Sequence, residues 1–165
     1  MQNEQQVQSA RQLSATLARV LREFAKDYEK RIIRGVQASG HPNIRASHQI
    51  VFSNIGLGRA RVTELAERAQ VTQQAMGKTL KELESLGYVE RAVDSEDRRA
   101  KAITLTAKGL QLMDDTLAVT ASVNSYYAEI IGQPEMDQLE SKLRNAANKL
   151  ELDYLPDSWA EPQAR

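Results

Sequence analysis

The stretch that decides the fold covers residues 61–106 and has the sequence RVTELAERAQVTQQAMGKTLKELESLGYVERAVDSEDRRAKAITLT. Its first half carries two short helical patterns, which meet at residues 70–71. Its second half carries two runs typical of β-strands, on either side of a charged turn at residues 94–97. Because a helix pair followed by a β-hairpin is the plan of a winged helix-turn-helix, the stretch predicts that fold.

The second of these helices is predicted from Thr72 to Leu86, and its two faces differ. Thr72 is expected to cap its start and Gly87 to end it. One face is apolar at steps of three and four residues and is expected to pack inward; it consists of Met76, Leu80, Leu83 and Leu86. The opposite face is polar and contains no acid; it consists of Gln74, Gly77, Lys78 and Lys81.

The polar face suits the major groove of duplex DNA. Gln73 and Gln74 lie in the first turn, where a helix entering the groove places its base-contacting residues. A glutamine amide can pair with an adenine edge through two hydrogen bonds. Gly77 costs a helix about 1 kcal/mol relative to alanine, so it favours a role in close backbone approach. The predicted DNA contacts are Thr72, Gln73, Gln74, Gly77, Lys78 and Lys81; the alternative is an ordinary solvated amphipathic helix.

The tip of the hairpin carries Asp97, Arg98 and Arg99. An arginine at such a tip can enter the minor groove, where narrow A/T-rich segments concentrate negative potential. The neighbouring aspartate can hold an arginine extended through a charge-assisted hydrogen bond. The three residues are therefore predicted as further DNA contacts, with a solvated turn of mixed charge as the alternative.

Long helices are predicted on both sides of this stretch. An apolar stripe indicates one helix from about residue 7 to 36, a second helix covers residues 44–55, and residues 59–62 favour a short strand. Thr63 is expected to cap the first helix of the pair. After the hairpin, one helix is predicted from residue 106 to 131, with Leu110, Met113, Leu117 and Ala121 on its apolar side. A last helix has apolar positions at Met136, Leu139, Leu143, Ala146, Ala147 and Leu150.

The fold class predicted is therefore mainly α with a small β-hairpin, an α+β winged helix-turn-helix with long terminal helices. Residues 1–152 form a single domain, in which residues 44–106 are the DNA-binding lobe. Residues 7–38 and 107–152 form a dimerisation region, because the N-terminal stripe is longer than one small domain can cover. Residues 153–165, which include Trp159, are expected to be an extended or disordered tail.

Composition excludes several classes of protein. The net charge of zero argues against a protein that coats nucleic acid without specificity, although a local basic face remains compatible with it. The absence of cysteine excludes disulfides, thiol sensing and cysteine nucleophiles. The N-terminus shows no secretory signal, and no apolar run approaches the roughly 20 residues of a membrane span. We therefore expect a cytoplasmic protein without membrane contact.

The two histidines and the search for an active site give little support for catalysis. His48 lies beside apolar residues and is expected to be a packing histidine, with a ligand contact as the alternative. His41 precedes Pro42 in a loop and is expected to be solvated. Two histidines without cysteine indicate no zinc site. No phosphate-binding loop, nucleophile elbow or paired-histidine motif occurs, so we predict a protein that is not an enzyme and uses no cofactor or metal.

Beyond these patterns, the sequence resembles the MarR family of bacterial winged-helix transcription regulators. The motifs that carry the resemblance extend from about residue 44 to 117. They are Glu64-Leu65-Ala66, Leu83-Glu84, Gly87-Tyr88-Val89-Glu90-Arg91, Asp97-Arg98-Arg99, and Leu105-Thr106 with Gly109. The chain departs from many members early in the recognition helix, where it has Gln74-Ala75-Met76-Gly77 in place of a run like Ser-Thr-Val.

The resemblance implies a homodimer whose terminal helices interdigitate and whose two recognition helices enter successive major grooves of a pseudo-palindromic operator. It also implies a small aromatic or anionic ligand between the dimerisation helices and the lobe, where His48 and Phe52 are candidate contacts. The expected function is sequence-specific regulation of transcription on double-stranded DNA. The alternative function is a winged-helix protein-interaction module that does not bind DNA.

Overall fold

The computed structural model describes residues 2–56, 58–93 and 101–155. These residues form, in chain order, α1 (Gln2–Ser14), α2 (Leu17–Ala38), α3 (Ala46–Phe52), β1 (Arg59–Arg61), α4 (Val62–Arg68), α5 (Gln73–Ser85), β2 (Val89–Val93), β3 (Lys101–Leu105), α6 (Ala107–Ile131) and α7 (Gln133–Lys149). The predicted class is confirmed: a mainly helical chain with a small sheet, arranged as a winged helix-turn-helix between long helices.

The N-terminal region contains two helices where the sequence predicted one. α1 ends at Ser14 and α2 begins at Leu17. Thr16 forms the break, because its backbone is extended and its hydroxyl oxygen accepts a hydrogen bond from the Arg19 N–H at 3.4 Å. The single helix predicted from residue 7 to 36 is therefore wrong at this point. A threonine within a helical pattern can offer its hydroxyl to the backbone as an N-cap, and apolar periodicity does not register that choice.

Two smaller expectations about the next helices are also wrong. α3 covers seven residues, fewer than the predicted range 44–55. Ile44 and Ile55 are buried but lie outside the helix. Their apolar side chains reflect burial in the core, and the prediction mistook them for the ends of the helix. Thr63 does not cap α4. The N-cap residue is Arg61, whose N–H donates to the Glu64 carboxylate at 2.7 Å.

The three strands form an antiparallel sheet in the order β1-β3-β2. β2 and β3 pair from Val89 opposite Leu105 to Val93 opposite Lys101, which confirms the predicted hairpin. β1 pairs with the other edge of β3, and this confirms the short strand expected at residues 59–62. Ala102 and Ile103 of the middle strand are buried, and Ile103 belongs to the core that the helices of the lobe share.

One hydrophobic core connects the lobe to the long helices. Its buried members are contributed by α2, the lobe and α6, and include Ile32, Val36, Val51, Leu65, Met76, Leu80, Leu83, Tyr88, Ile103, Leu112, Val123 and Tyr127. α2 and α6 pack closely at Gly35, where a Cβ would lie 2.5 Å from a Val119 methyl carbon. On the apolar side predicted for α6, Leu110 and Leu117 are 55% and 69% exposed in the protomer. The residues of α6 that bury most fully against the protomer are instead Gly109, Leu112, Val123 and Tyr127.

The last helix and the tail complete the described chain. α7 begins after Gly132, with Pro134 in its first turn, and ends at Lys149. The tail predicted from residue 153 is described only to residue 155, so Trp159 lies outside the described residues. No helix among the described residues is both long enough and apolar enough to cross a lipid bilayer.

Candidate nucleic-acid interface

The turn between α4 and α5 presents α5 on the surface of the lobe. Gln70 adopts a left-handed backbone conformation with φ of 52°. The Val71 N–H donates to the Ala66 carbonyl at 3.0 Å, which closes the turn. Thr72 then caps α5 as predicted, because its hydroxyl oxygen accepts a hydrogen bond from the Ala75 N–H at 3.1 Å. α5 therefore begins as a separate helix and packs against α4.

The two faces of α5 divide as the sequence predicted. Met76, Leu80 and Leu83 are at most 1% exposed, and Leu86 packs half-buried against the same core. The outward residues Gln73, Gln74, Lys78 and Lys81 are exposed. Together with the half-buried Gly77 they form a surface that we call the α5 outer face; it consists of Gln73, Gln74, Gly77, Lys78 and Lys81.

Gly77 opens a gap in the α5 outer face. A Cβ at this position would meet no atom within 4 Å, so packing inside the protomer does not require glycine here. Glycine nevertheless weakens the helix by about 1 kcal/mol relative to alanine. A residue that is unfavourable for the helix and unnecessary for packing indicates a surface that an external partner approaches closely.

The acids nearest to the α5 outer face are both paired with basic groups. Glu82 accepts hydrogen bonds from the Arg45 guanidinium at 2.7 Å and from the His48 ring at 3.2 Å. Glu84 accepts one from Arg91 at 3.3 Å. The hydrogen bond from His48, together with the positive charge of Arg45, lowers the pKa of the Glu82 carboxyl below its ordinary value. Pairing of these acids keeps the negative charge beside the outer face compensated.

His48 is the packing histidine that the sequence favoured. It is fully buried, and its Nδ1 accepts the Arg45 backbone N–H at 3.3 Å. Because Nδ1 accepts, the ring proton belongs on Nε2, which donates to Glu82. His48 therefore joins α3 to α5 inside the lobe. A cleft of about 450 Å³ lies beside this contact and is lined by Pro42, Asn43, Arg45, Glu82, Ser85 and Leu86. Neither His48 nor Phe52 belongs to that lining.

His41 corrects a prediction, since the residue expected to be solvated is only 5% exposed. Its Nδ1 lies 2.9 Å from the Tyr88 hydroxyl, and its Nε2 lies 2.9 Å from a carboxylate oxygen of Asp115. Sequence analysis did not predict that these three residues are connected. Tyr88 and Asp115 lie 47 and 74 positions from His41 along the chain, and no local pattern joins them.

The tip of the wing carries the remaining predicted contacts. β2 and β3 are paired as far as Val93 and Lys101. Asp97, Arg98 and Arg99 lie outside the described residues.

Comparisons with known proteins agree with this geometry. A family model described as MarR family matches residues 48–100. The HTH-type transcriptional regulator PrsX of Escherichia coli is 34% identical over 95 residues, which are 58% of this chain and 54% of the relative. The chain thus spans about half the length of the curated relatives it matches.

Solved structures extend the similarity beyond the lobe. The structure of transcriptional regulator PA3341 is 26% identical with a TM-score of 0.64, covering 82% of this chain and 98% of that one. Apo MarR from E. coli is 18% identical with a TM-score of 0.65, covering 79% and 96%; this likeness concerns the fold. Fold and comparisons together define a winged helix-turn-helix protein. Residues 48–100 match the MarR family model, and the chain is similar to that family. The relatives described here are named as transcriptional regulators, which supports the prediction that the chain is not an enzyme.

Proposed function

We propose that this chain is a sequence-specific transcription regulator that binds double-stranded DNA as a homodimer in the cytoplasm. The observation that carries the proposal is the α5 outer face: two glutamines, two lysines and an unobstructed glycine, with the neighbouring acids held by basic residues. The glutamines suit base edges and the lysines suit phosphates. The names of the relatives favour the same function.

Exposed apolar side chains on the long helices support the homodimer. Leu13, Leu17, Leu117 and Leu150 are each 69–72% exposed in the protomer, and other large apolar residues of α2, α6 and α7 are also exposed. Apolar surface contributes about 25 cal/mol per Å² when it is buried, so a second copy covering these helices would be stabilised. Large exposed apolar patches mark interfaces in soluble proteins. Two recognition helices in such a dimer would lie about 34 Å apart and bind a pseudo-palindromic operator.

The wing supplies the second DNA contact in this proposal. The last paired residues of the hairpin are Val93 and Lys101, and Asp97, Arg98 and Arg99 stand between them in the sequence. Arg98 and Arg99 would enter the minor groove beside the half-site bound by α5, with Asp97 orienting one of them. Substituting Arg98 and Arg99 by alanine should therefore lower DNA affinity without changing dimerisation.

Selection of binding sites from random-sequence duplex DNA tests the function directly. The wild-type chain should select a two-fold repeat, and binding should weaken steeply as salt rises. Gln73→Ala and Gln74→Ala should change the selected bases, whereas the matched control Gln138→Ala on α7 should not. An identical motif from both glutamine variants would refute base contacts by these residues. Retention on heparin only at low salt, with no selected motif, would instead support a winged-helix protein-interaction module.

We also propose that a small aromatic or anionic ligand regulates DNA binding. The cleft of about 450 Å³ beside Arg45 and Glu82 has room for such a molecule. His48 contacts both of these charged residues, and Phe52 contacts Tyr88 nearby. Titration with benzoate, followed by thermal unfolding and DNA binding, tests the idea. A ligand should raise the unfolding temperature and change DNA affinity; benzoate and other aromatic acids without either effect would contradict it.

A further inference from the structure

The C-terminal end of α5 is attached to the beginning of α6 through three consecutive backbone carbonyls. The Leu86 carbonyl accepts a hydrogen bond from the Lys108 ammonium at 2.8 Å, and the Gly87 carbonyl accepts one from the Thr106 hydroxyl at 2.6 Å. The Tyr88 carbonyl accepts the Thr106 N–H at 3.1 Å. These donors therefore hold the segment that follows α5, Leu86 to Tyr88, against the start of α6.

Beyond this backbone attachment, a chain of three side chains also connects the lobe to the long helices. We call it the His41 bridge, consisting of Tyr88, His41 and Asp115. Tyr88 follows the recognition helix, His41 follows α2, and Asp115 lies in α6. The His41 backbone N–H also donates to the Val36 carbonyl at 3.3 Å, so the bridge is tied to the end of α2 as well.

The ionisation of Asp115 specifies which group donates in each hydrogen bond of the His41 bridge. The hydrogen bond from His41 lowers the pKa of the Asp115 carboxyl, so Asp115 is ionised at neutral pH and can only accept. The His41 Nε2 therefore carries the proton that it donates to Asp115. In neutral His41 the Nδ1 then accepts the Tyr88 hydroxyl proton. Tyr88 and His41 are buried and Asp115 is partly buried, so a broken link would leave a buried hydroxyl or ring nitrogen without its partner.

We propose that the His41 bridge is a positioning device that sets the angle between the recognition helix and α6, and thereby the operator spacing that a homodimer accepts. The inference rests on the proposed function. Both dimerisation elements, α2 and α6, meet the end of α5 at this bridge. A small rotation there would move the whole lobe, and with it the recognition helix, relative to α2 and α6.

Two other tyrosine hydroxyls provide controls, because each joins α2 to α6 away from the lobe. The Tyr28 hydroxyl donates to the Asn124 side-chain oxygen at 2.5 Å, and the Tyr127 hydroxyl donates to the Asp27 carboxylate at 2.6 Å. Tyr28→Phe and Tyr127→Phe therefore each remove a tyrosine hydroxyl without touching the boundary with the lobe.

The experiment measures affinity for four DNA duplexes built from the site that the wild type selects. One has the selected spacing, two have one or two extra base pairs between the half-sites, and one has a single half-site. Each inserted base pair moves the second half-site by about 3.4 Å and rotates it by roughly 35° about the duplex axis. Dimerisation and unfolding of each variant are measured alongside, and Asp115→Asn provides a further bridge variant if Tyr88→Phe or His41→Gln folds poorly.

We expect Tyr88→Phe and His41→Gln to reduce the preference for the selected spacing by about fivefold, which corresponds to the loss of one hydrogen bond. Their affinity for the single half-site should stay within about twofold of wild type, because the bridge does not touch the α5 outer face. Tyr28→Phe and Tyr127→Phe should keep the wild-type preference.

Contradictory results would show whether the positioning role or the proposed function is wrong. Bridge variants with the wild-type spacing preference would overturn the positioning role. Equal losses on all four duplexes would also overturn it, because the bridge would then act only through the stability of the lobe. A wild-type chain that selects no two-fold site would overturn the proposed function itself, and the role of the bridge with it.

Discussion

A Cβ at residue 109 would overlap the backbone carbonyl oxygen of Tyr88, so the first turn of α6 can pack against the start of β2 only with glycine at this position. Gly109 also donates its N–H to the Thr106 hydroxyl at 3.1 Å, which caps α6. The contact lies beside the Thr106 and Lys108 side chains, which donate to carbonyls of the segment that follows the recognition helix. Gly109 is therefore a requirement of the attachment between the lobe and α6.

Gly109→Ala should lower the free energy of unfolding by about 1–3 kcal/mol, the range found when extra atoms are forced into packed regions. The colliding atom belongs to the backbone and cannot rotate away. Urea unfolding measures the change. An alanine variant as stable as wild type would show that α6 and β2 move apart freely.

Gly77→Ala should have the opposite effect on stability. No atom lies near the added methyl group, and alanine favours a helix over glycine by about 1 kcal/mol, so unfolding should become harder by roughly that amount. The same methyl group should reduce DNA affinity, because it stands on the α5 outer face. Unfolding and DNA titration of this one variant are the measurements. Unchanged DNA binding would remove Gly77 from the interface.

Lys81→Ala should weaken binding to specific and non-specific DNA alike. The side chain is exposed, so stability should change by less than about 0.5 kcal/mol. If Lys81 contacts a phosphate, the slope of log affinity against log salt should fall by about one. Lys149→Ala at the end of α7 is the control and should keep the wild-type slope. The same slope for Lys81→Ala would place that lysine away from the DNA backbone.

Asp115 should make folding stability depend on pH in the acid range. Its folded-state pKa lies below the ordinary value of 3.8, chiefly because of the hydrogen bond from His41 and secondarily that from Gln111. A depressed carboxyl pKa contributes stability that is fully present above the ordinary value and is lost as the pH falls through the folded-state value. Asp115→Asn should therefore unfold with a shallower loss of stability below about pH 4.

The neighbouring Asp114→Asn is the matched control for this measurement. Asp114 is exposed on the same helix turn, so its substitution should leave the acid profile close to wild type. Urea unfolding between pH 2.5 and 6 distinguishes the two variants. Identical profiles for both would show that the His41 bridge is not formed in solution.

Much of the DNA-binding lobe could be predicted because its signals are local. The Thr72 cap, the alternation of Met76, Leu80 and Leu83 against the outer face, and the Gly87 stop all act within one helix. The hairpin was equally predictable from two short β-branched runs. Gly87 adopts a φ of +80°, which is the conformation that a helix-ending glycine supplies. Such features depend on residues a few positions apart, and a sequence displays those directly.

The boundaries of other helices were less predictable because caps compete. Thr16 interrupts the N-terminal helix, and Glu64 accepts the Arg61 N–H so that α4 starts before Thr63. The residue at which each helix begins depends on which nearby polar group forms the most stable hydrogen bond with a free backbone N–H. Several candidate groups lie close together in the sequence, and their capping energies are similar.

Sequence alone determined the winged helix-turn-helix and the two faces of α5, because hydrophobic periodicity and capping are short-range effects. Only the tertiary structure decided that His41 is buried, that it joins Tyr88 to Asp115, and that Leu110 and Leu117 of α6 face outward. Those outcomes depend on which surfaces of α2, α6 and the lobe pack together. This packing brings His41 into contact with residues 47 and 74 positions away, and no local sequence pattern predicts such contacts.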